Sequence, residues 1–182
     1  MNKTRLRIRL LGDYVLRKKA KPVLKITQEH RDNLSQMARL MYDSLGVGLA
    51  APQVGINQKM LVADIGSGLY KLINPKIVRK EGHQIQEEGC LSVPGICVKI
   101  KRAKKIKVEA LDEYSARISV EAEDLLACVF QHEIDHLNGK LIVDYASFMK
   151  RVKIKKKIEE FKKKSKDEEL PESETKSCKL QL

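Results

Sequence analysis

Between Ala122 and Asn138 runs a helical stretch that contains His132, Glu133 and His136. Leu125, Leu126, Ala127, Cys128, Val129 and Phe130 precede them with no polar stripe, so this helix must be enclosed on most sides. Any fold that buries it must also bury three polar side chains and give them something to do. On a helix, positions i and i+4 differ by roughly 40° around the axis, so both imidazoles can face one metal ion. Glu133 lies about 100° round, where it can reach a water on that ion instead of the ion itself. The spacing is that of a hydrolytic metal site, and it leaves the third ligand open.

The rest of the chain shows what could enclose such a helix. Thr27–Leu45 is a helix by its spacing, with Leu34, Met37, Ala38, Met41 and Leu45 on one face, Thr27 as N-cap and Gly46 as stop. A glycine- and proline-rich loop, Gly46–Gly55, follows it. Short β-like runs come next at Met60–Ile65, Tyr70–Asn74, Ile96–Ile100, Ile106–Leu111 and Ile118–Glu121, divided by turn signals such as Asn74-Pro75 and Asp112-Glu113. Their close spacing favours antiparallel pairing. The expected fold is α+β, with short antiparallel sheets packed around a buried central helix carrying the histidines, plus an N-terminal helix and a C-terminal basic helix. At 182 residues and 42% hydrophobic content the chain can bury one core.

Several residues compete for the third ligand position. His30 on the first helix and His83 after Gly82 read as surface residues. Asp135 points away from the imidazole face, whereas Asp144 could serve as a carboxylate ligand. Cys90 is the better candidate because Gly89, Pro94 and Gly95 fix the backbone around it, and a thiolate binds metals strongly. Cys97 and Cys128 read as small core residues, and Cys178 falls near the end of the chain.

Charge is concentrated late. The chain carries 36 basic and 24 acidic residues, a net +12, and Lys150–Lys166 holds ten Lys/Arg. That run is expected to be a helix over 148–166, either a solvated one or a surface that docks on nucleic acid. Residues 167–182 have the composition of a disordered polar tail, leaving 1–147 as the catalytic domain. No stretch approaches the roughly 18–20 apolar residues of a membrane span, no secretory signal is visible, and the cysteines do not form a disulfide pattern. A cytoplasmic, reduced setting without membrane partners is expected.

Three segments, Gly48-Leu49-Ala50-Ala51-Pro52-Gln53-Val54-Gly55, Glu88-Gly89-Cys90-Leu91-Ser92 and Gln131-His132-Glu133-Ile134-Asp135-His136, resemble in order and spacing the signature motifs of peptide deformylases. The resemblance runs from about Leu10 to Asp144. It implies hydrolysis of the N-formyl group from the initiator methionine of nascent polypeptides, with release of formate. Under it, Cys90, His132 and His136 would hold one divalent metal and Glu133 would shuttle the proton. The Gln53 side chain and the Leu91 backbone N–H would face the developing oxyanion. Val47, Gly48, Gly89, Cys128 and Val129 match positions that contact substrate, and Glu88 with Arg102 would form a supporting ion pair. The family commonly uses Fe2+ in the cell; Zn2+, Ni2+ or Co2+ also suit a thiolate and two imidazoles. Ribosome docking through the basic C-terminal helix is a further expectation.

Two other readings stay open on residues alone. One is a zinc peptidase with Asp144 or a Glu as third ligand. The other is a basic RNA-binding protein with a structural metal, which would want a fourth protein ligand.

Overall fold

A computed structural model describes residues 6–147 together with Met149, Arg151, Val152 and Ile154. Seven strands and two α-helices make up the described fold: α1 (Gln28–Asp43), β1 (Gly48–Ala50), β2 (Met60–Ala63), β3 (Tyr70–Glu81), β4 (Gln84–Cys90), β5 (Val93–Arg102), β6 (Lys105–Leu111), β7 (Arg117–Glu123) and α2 (Asp124–Leu137). Five strands form an antiparallel sheet in the order β1-β2-β3-β6-β7, and β4 pairs with β5 as a separate two-stranded sheet.

Helix α2 packs where these layers meet. Ala127, Cys128, Val129 and Phe130 are fully buried, in a cluster with Ala50, Leu61, Leu72, Val108 and Ala122 from the large sheet. The Phe130 ring meets Tyr70 edge-on at 5.3 Å between centroids, a favoured aromatic geometry. Gln131 fixes the helix lengthwise: its Nε2 donates to the Ala103 carbonyl and its Oε1 accepts the Ala103 N–H, both at 2.9 Å. At the far end Gly139 has φ +73°, and a Cβ there would sit 2.6 Å from the Arg17 carbonyl oxygen. Only glycine lets the helix stop against that backbone.

The expectation of helices with antiparallel sheets holds, but several boundaries differ. Helix α1 ends at Asp43, and Leu45 is exposed with φ +55° instead of extending the apolar face. Gly46 N–H instead donates to the Met41 carbonyl at 2.9 Å, closing the helix end. The expected loop 46–55 contains β1 and a short 3-10 helix, Ala51–Val54. Strand β3 continues through Asn74-Pro75 as a bulge. There Asn74 turns its side chain outward, accepting from Val23 N–H at 2.9 Å and donating to the Val23 carbonyl at 2.8 Å; a turn signal has become a register shift. Strand β4 was not expected at all.

His30 is not a surface residue. It is buried, its Nδ1 accepts from Thr27 N–H at 3.0 Å, and its Nε2 lies 3.0 Å from Gln58 Nε2. Cys97 is half-buried instead of lying in the core. His83 is exposed, as expected. Met149, Arg151, Val152 and Ile154 are helical, and Ile154 is buried beside Val98, Ile142 and Val143. The remaining residues of the expected basic helix (148–166) and polar tail (167–182) lie outside the described residues.

Candidate active site

Three elements deliver the chemistry. Helix α2 presents His132, Glu133 and His136; the β4–β5 hairpin presents Glu88 and Cys90; and the segment from β1 through the following 3-10 turn presents Gly48 and Gln53. All of the polar side chains among them are buried.

Geometry makes Cys90 the third member of a candidate metal site with His132 and His136. Cys90 Sγ lies 3.3 Å from His136 Nε2, which lies 3.1 Å from His132 Nε2, and the donor atoms of the three residues sit within 4.8 Å of one another. A soft sulfur and two imidazole nitrogens gathered in a buried site form a donor set that a single divalent cation would satisfy. Among the described residues this is the one such cluster. Asp144 is engaged elsewhere, accepting from Arg17 at 2.6 Å and from Leu141 N–H at 2.9 Å. Burial holds the Cys90 thiol up and Glu133 adds to this, while the N–H groups of Ser92 and Val93 oppose it. Burial, then the neighbouring His132, keeps His136 well below its ordinary pKa and thus neutral, the form that ligates.

Behind His132 stands a saturated ionic network. His132 Nδ1 is 2.9 Å from Glu88 Oε2, which leaves Nε2 to face the cluster. Arg102 donates from Nε to Glu88 Oε1 at 2.7 Å and from Nη2 to Oε2 at 2.9 Å. Cys128 Sγ donates to Glu88 Oε1 at 3.2 Å. Burial opposes ionisation of Glu88, but the hydrogen bonds from Arg102 and His132 prevail and bring its pKa to about 2. The third edge of Arg102 is taken too: Nη1 donates to Asp135 Oδ2 at 2.5 Å, and Tyr145 Oη donates to the same oxygen at 2.6 Å.

On the other side Glu133 is buried, and neither carboxylate oxygen has a hydrogen-bond partner among the described residues. Burial first, and the charge of Glu88 second, raise its pKa well above the usual value. Gly48 makes room for it, since a Cβ there would collide with Glu133 Oε1 and come within 2.9 Å of Val129 Cγ1. Gln53 accepts the Ala50 N–H on Oε1 at 2.7 Å and points Nε2 at Cys90 Sγ, 3.7 Å away. Gly89 is buried beside Cys90, Leu91 forms the β4–β5 turn, and Val47 is partly buried against the α2 cluster.

Asp135 and Tyr145 were missed by sequence reasoning. A usable signal did exist for their partner: Val98, Ile100 and Arg102 alternate in phase on β5, and all three are buried. A charged residue in the core phase of a strand demands partners. Tyr145 carries no comparable signal.

Residues 5–152 match the family model described as polypeptide deformylase. The peptide deformylase of Thermoanaerobacter pseudethanolicus is 52% identical over 139 residues, covering 76% of this chain and 87% of that protein. That of Thermotoga maritima is 48% identical over 153 residues, covering 84% and 93%. The crystal structure of a peptide deformylase from Legionella pneumophila superposes with a TM-score of 0.85 at 41% identity, covering 90% of this chain and 99% of that one.

Proposed function

This chain belongs to the polypeptide deformylase family, which removes N-formyl groups from nascent peptides, and from that premise we propose how its residues divide the work. Cys90, His132 and His136 hold the metal, Glu133 carries the proton, and Gln53 with the Leu91 backbone N–H meets the oxyanion. The observation that carries this assignment is the convergence of one sulfur and two imidazole nitrogens beside a buried, unpartnered carboxylate. A divalent cation bound there supplies Lewis acidity and lets water ionise near neutral pH.

Glu133 takes a proton from the attacking water onto a carboxylate oxygen. It returns that proton to the amine nitrogen as the formyl C–N bond breaks, so formate and a free amino terminus result. A carboxyl group whose pKa burial has raised is suited to both halves of that transfer. Charge developing on the formyl oxygen falls to Gln53 Nε2, whose orientation is set in advance because Ala50 N–H holds the other end of the amide. Leu91 N–H, at the turn between β4 and β5, is the second donor. Val47, Gly48 and Gly89 contact the peptide, and Cys128 and Val129, one turn before His132, border the methionine side chain. Fe2+ is the metal in the cell, with Zn2+, Ni2+ or Co2+ able to replace it in purified protein. Its substrates emerge in the cytoplasm, and that is where we place it. Among the described residues no helix is long and apolar enough to cross a membrane.

A docking role is favoured by one further observation. Lys59, Lys76, Lys80, Lys101 and Lys140 line a cleft of about 560 Å3 that Tyr145 also borders, and the basic run begins at Lys150. None of these five lysines has an ion pair among the described residues. Together they would present a phosphate-facing surface to the ribosome.

The decisive experiment is formate release from formyl-Met peptides by Fe2+- and Zn2+-loaded protein, alongside Cys90→Ala. Formate is expected from the first two, while the variant retains neither metal nor activity. Metal and activity surviving in Cys90→Ala would overturn the ligand assignment.

A further inference from the structure

Two members of the network around Glu88 make no side-chain hydrogen bond to the donor cluster: the side chains of Asp135, which precedes His136 on α2, and Tyr145 join it through Arg102. Arg102 is 5% exposed and Glu88 fully buried, whereas Asp135 is 18% exposed and Tyr145 stands at the rim, 40% exposed. The order Tyr145, Asp135, Arg102, Glu88, His132 therefore runs from solvent to the donor cluster, each step made by a hydrogen bond of 2.5–2.9 Å.

Arg102 has three nitrogens to satisfy while its side chain is only 5% exposed. Two donors grip Glu88, and the remaining one, Nη1, would be stranded without Asp135. Tyr145 fixes the acceptor in turn. Its Oη binds the same Oδ2 that Arg102 uses, and the Arg102 guanidinium lies 5.0 Å over the Tyr145 ring, so the phenol holds both members of the pair.

We propose that Asp135 and Tyr145 are positioning residues of the metal centre, acting through Arg102 and Glu88 to hold the His132 ring with Nε2 toward the donor cluster. This rests on the reading that Cys90, His132 and His136 are the ligands, and it assigns a function to the Asp of the helix motif and to a tyrosine outside all three motifs. The predicted signature is weakened metal affinity without loss of the fold.

The test is Co2+ titration of the full metal-free chain against a competing chelator, for wild type, Asp135→Asn and Tyr145→Phe. Alongside it, the His132 ring N–H is followed by nitrogen-15 NMR of the metal-free protein. Asp135→Asn is expected to weaken Co2+ binding by about tenfold, the low end of what outer partners of metal ligands contribute. Tyr145→Phe, which keeps the ring and loses only Oη, is expected to weaken it by about threefold. In both, the His132 Nδ1–H signal should move toward that of a weaker hydrogen bond. If Co2+ affinity and the His132 signal match wild type in both variants, the proposal is overturned, whatever their thermal midpoints do. Cys90→Ala in the same titration keeps the two readings apart. Should Cys90→Ala bind Co2+ like wild type, the ligand assignment fails; should it lose Co2+ while Asp135→Asn does not weaken, only the positioning role fails.

Discussion

The two sides of α2 are buried alike, but they treat their carboxylates in opposite ways. Toward the β4–β5 hairpin, Glu88 accepts from Arg102, His132 and Cys128, and its pKa falls to about 2. Toward β1, Glu133 is as fully buried and has no partner for either oxygen among the described residues. A saturated buried charge is fixed in place, while an unsaturated one is held at a cost and stays ready to exchange a proton. On the proposed reading, one side of the helix serves geometry and the other serves reaction.

The contrast can be broken most severely at Glu133. Glu133→Gln keeps the shape and removes the proton carrier, and formate release should fall by about 10²–10⁴. Its thermal midpoint should stay level or rise, because an uncompensated buried acid is gone. A clear drop in midpoint would mean that Glu133 is structural after all. At Glu88 the opposite pattern is expected. Glu88→Ala strands Arg102 in the core, and unfolding in urea should show a loss of about 3–5 kcal/mol, with metal content falling as well. Gly48→Ala sharpens the comparison by pressing only on the reactive side, where the new methyl would collide with Glu133. A displacement of about 1 Å in a catalytic group costs up to about 100-fold, so kcat should fall roughly 10- to 100-fold while metal content holds. The smallest effect lies away from both sides. Replacing Lys76, Lys80 and Lys101 with Ser should leave hydrolysis of free formyl peptides unchanged. It should also flatten the salt dependence of ribosome binding by about 0.7–0.9 logarithmic units per lysine, and an unchanged slope would remove the cleft from the docking surface.

Much of the Glu133 side could be read from residues alone. The i, i+4 histidines and the apolar run ahead of them encode a helix, its burial and the clustering of its imidazoles in one local pattern. Local patterns survive folding. The supporting side depends on contacts between distant elements, and periodicity is silent about those. Nothing at Tyr145 marks it as a partner of Asp135, because the link exists only once the chain after α2 turns back across the hairpin. His30 was misread for a related reason: its position on α1 suggested solvent, but Thr27 and Gln58 close over it. Strand β4 was missed because Gln84-Ile85-Gln86-Glu87 shows little apolar alternation, and it is pairing with β5 that makes it a strand. Asn74-Pro75 reads as a turn in isolation, and the β3–β6 ladder absorbs it as a bulge.

The division into two sheets has a consequence for how the protein persists in a cell. Cys90 belongs to the small hairpin and His136 to the helix seated on the large sheet, 46 residues apart in the chain. Whatever grips both sulfur and imidazoles also clasps one sheet to the other. Occupancy and folding are then linked equilibria, in which a metal at a hundredfold excess over its Kd adds about 2.7 kcal/mol to stability. Scarcity of the metal should therefore thin the population of intact molecules as well as idle those that remain.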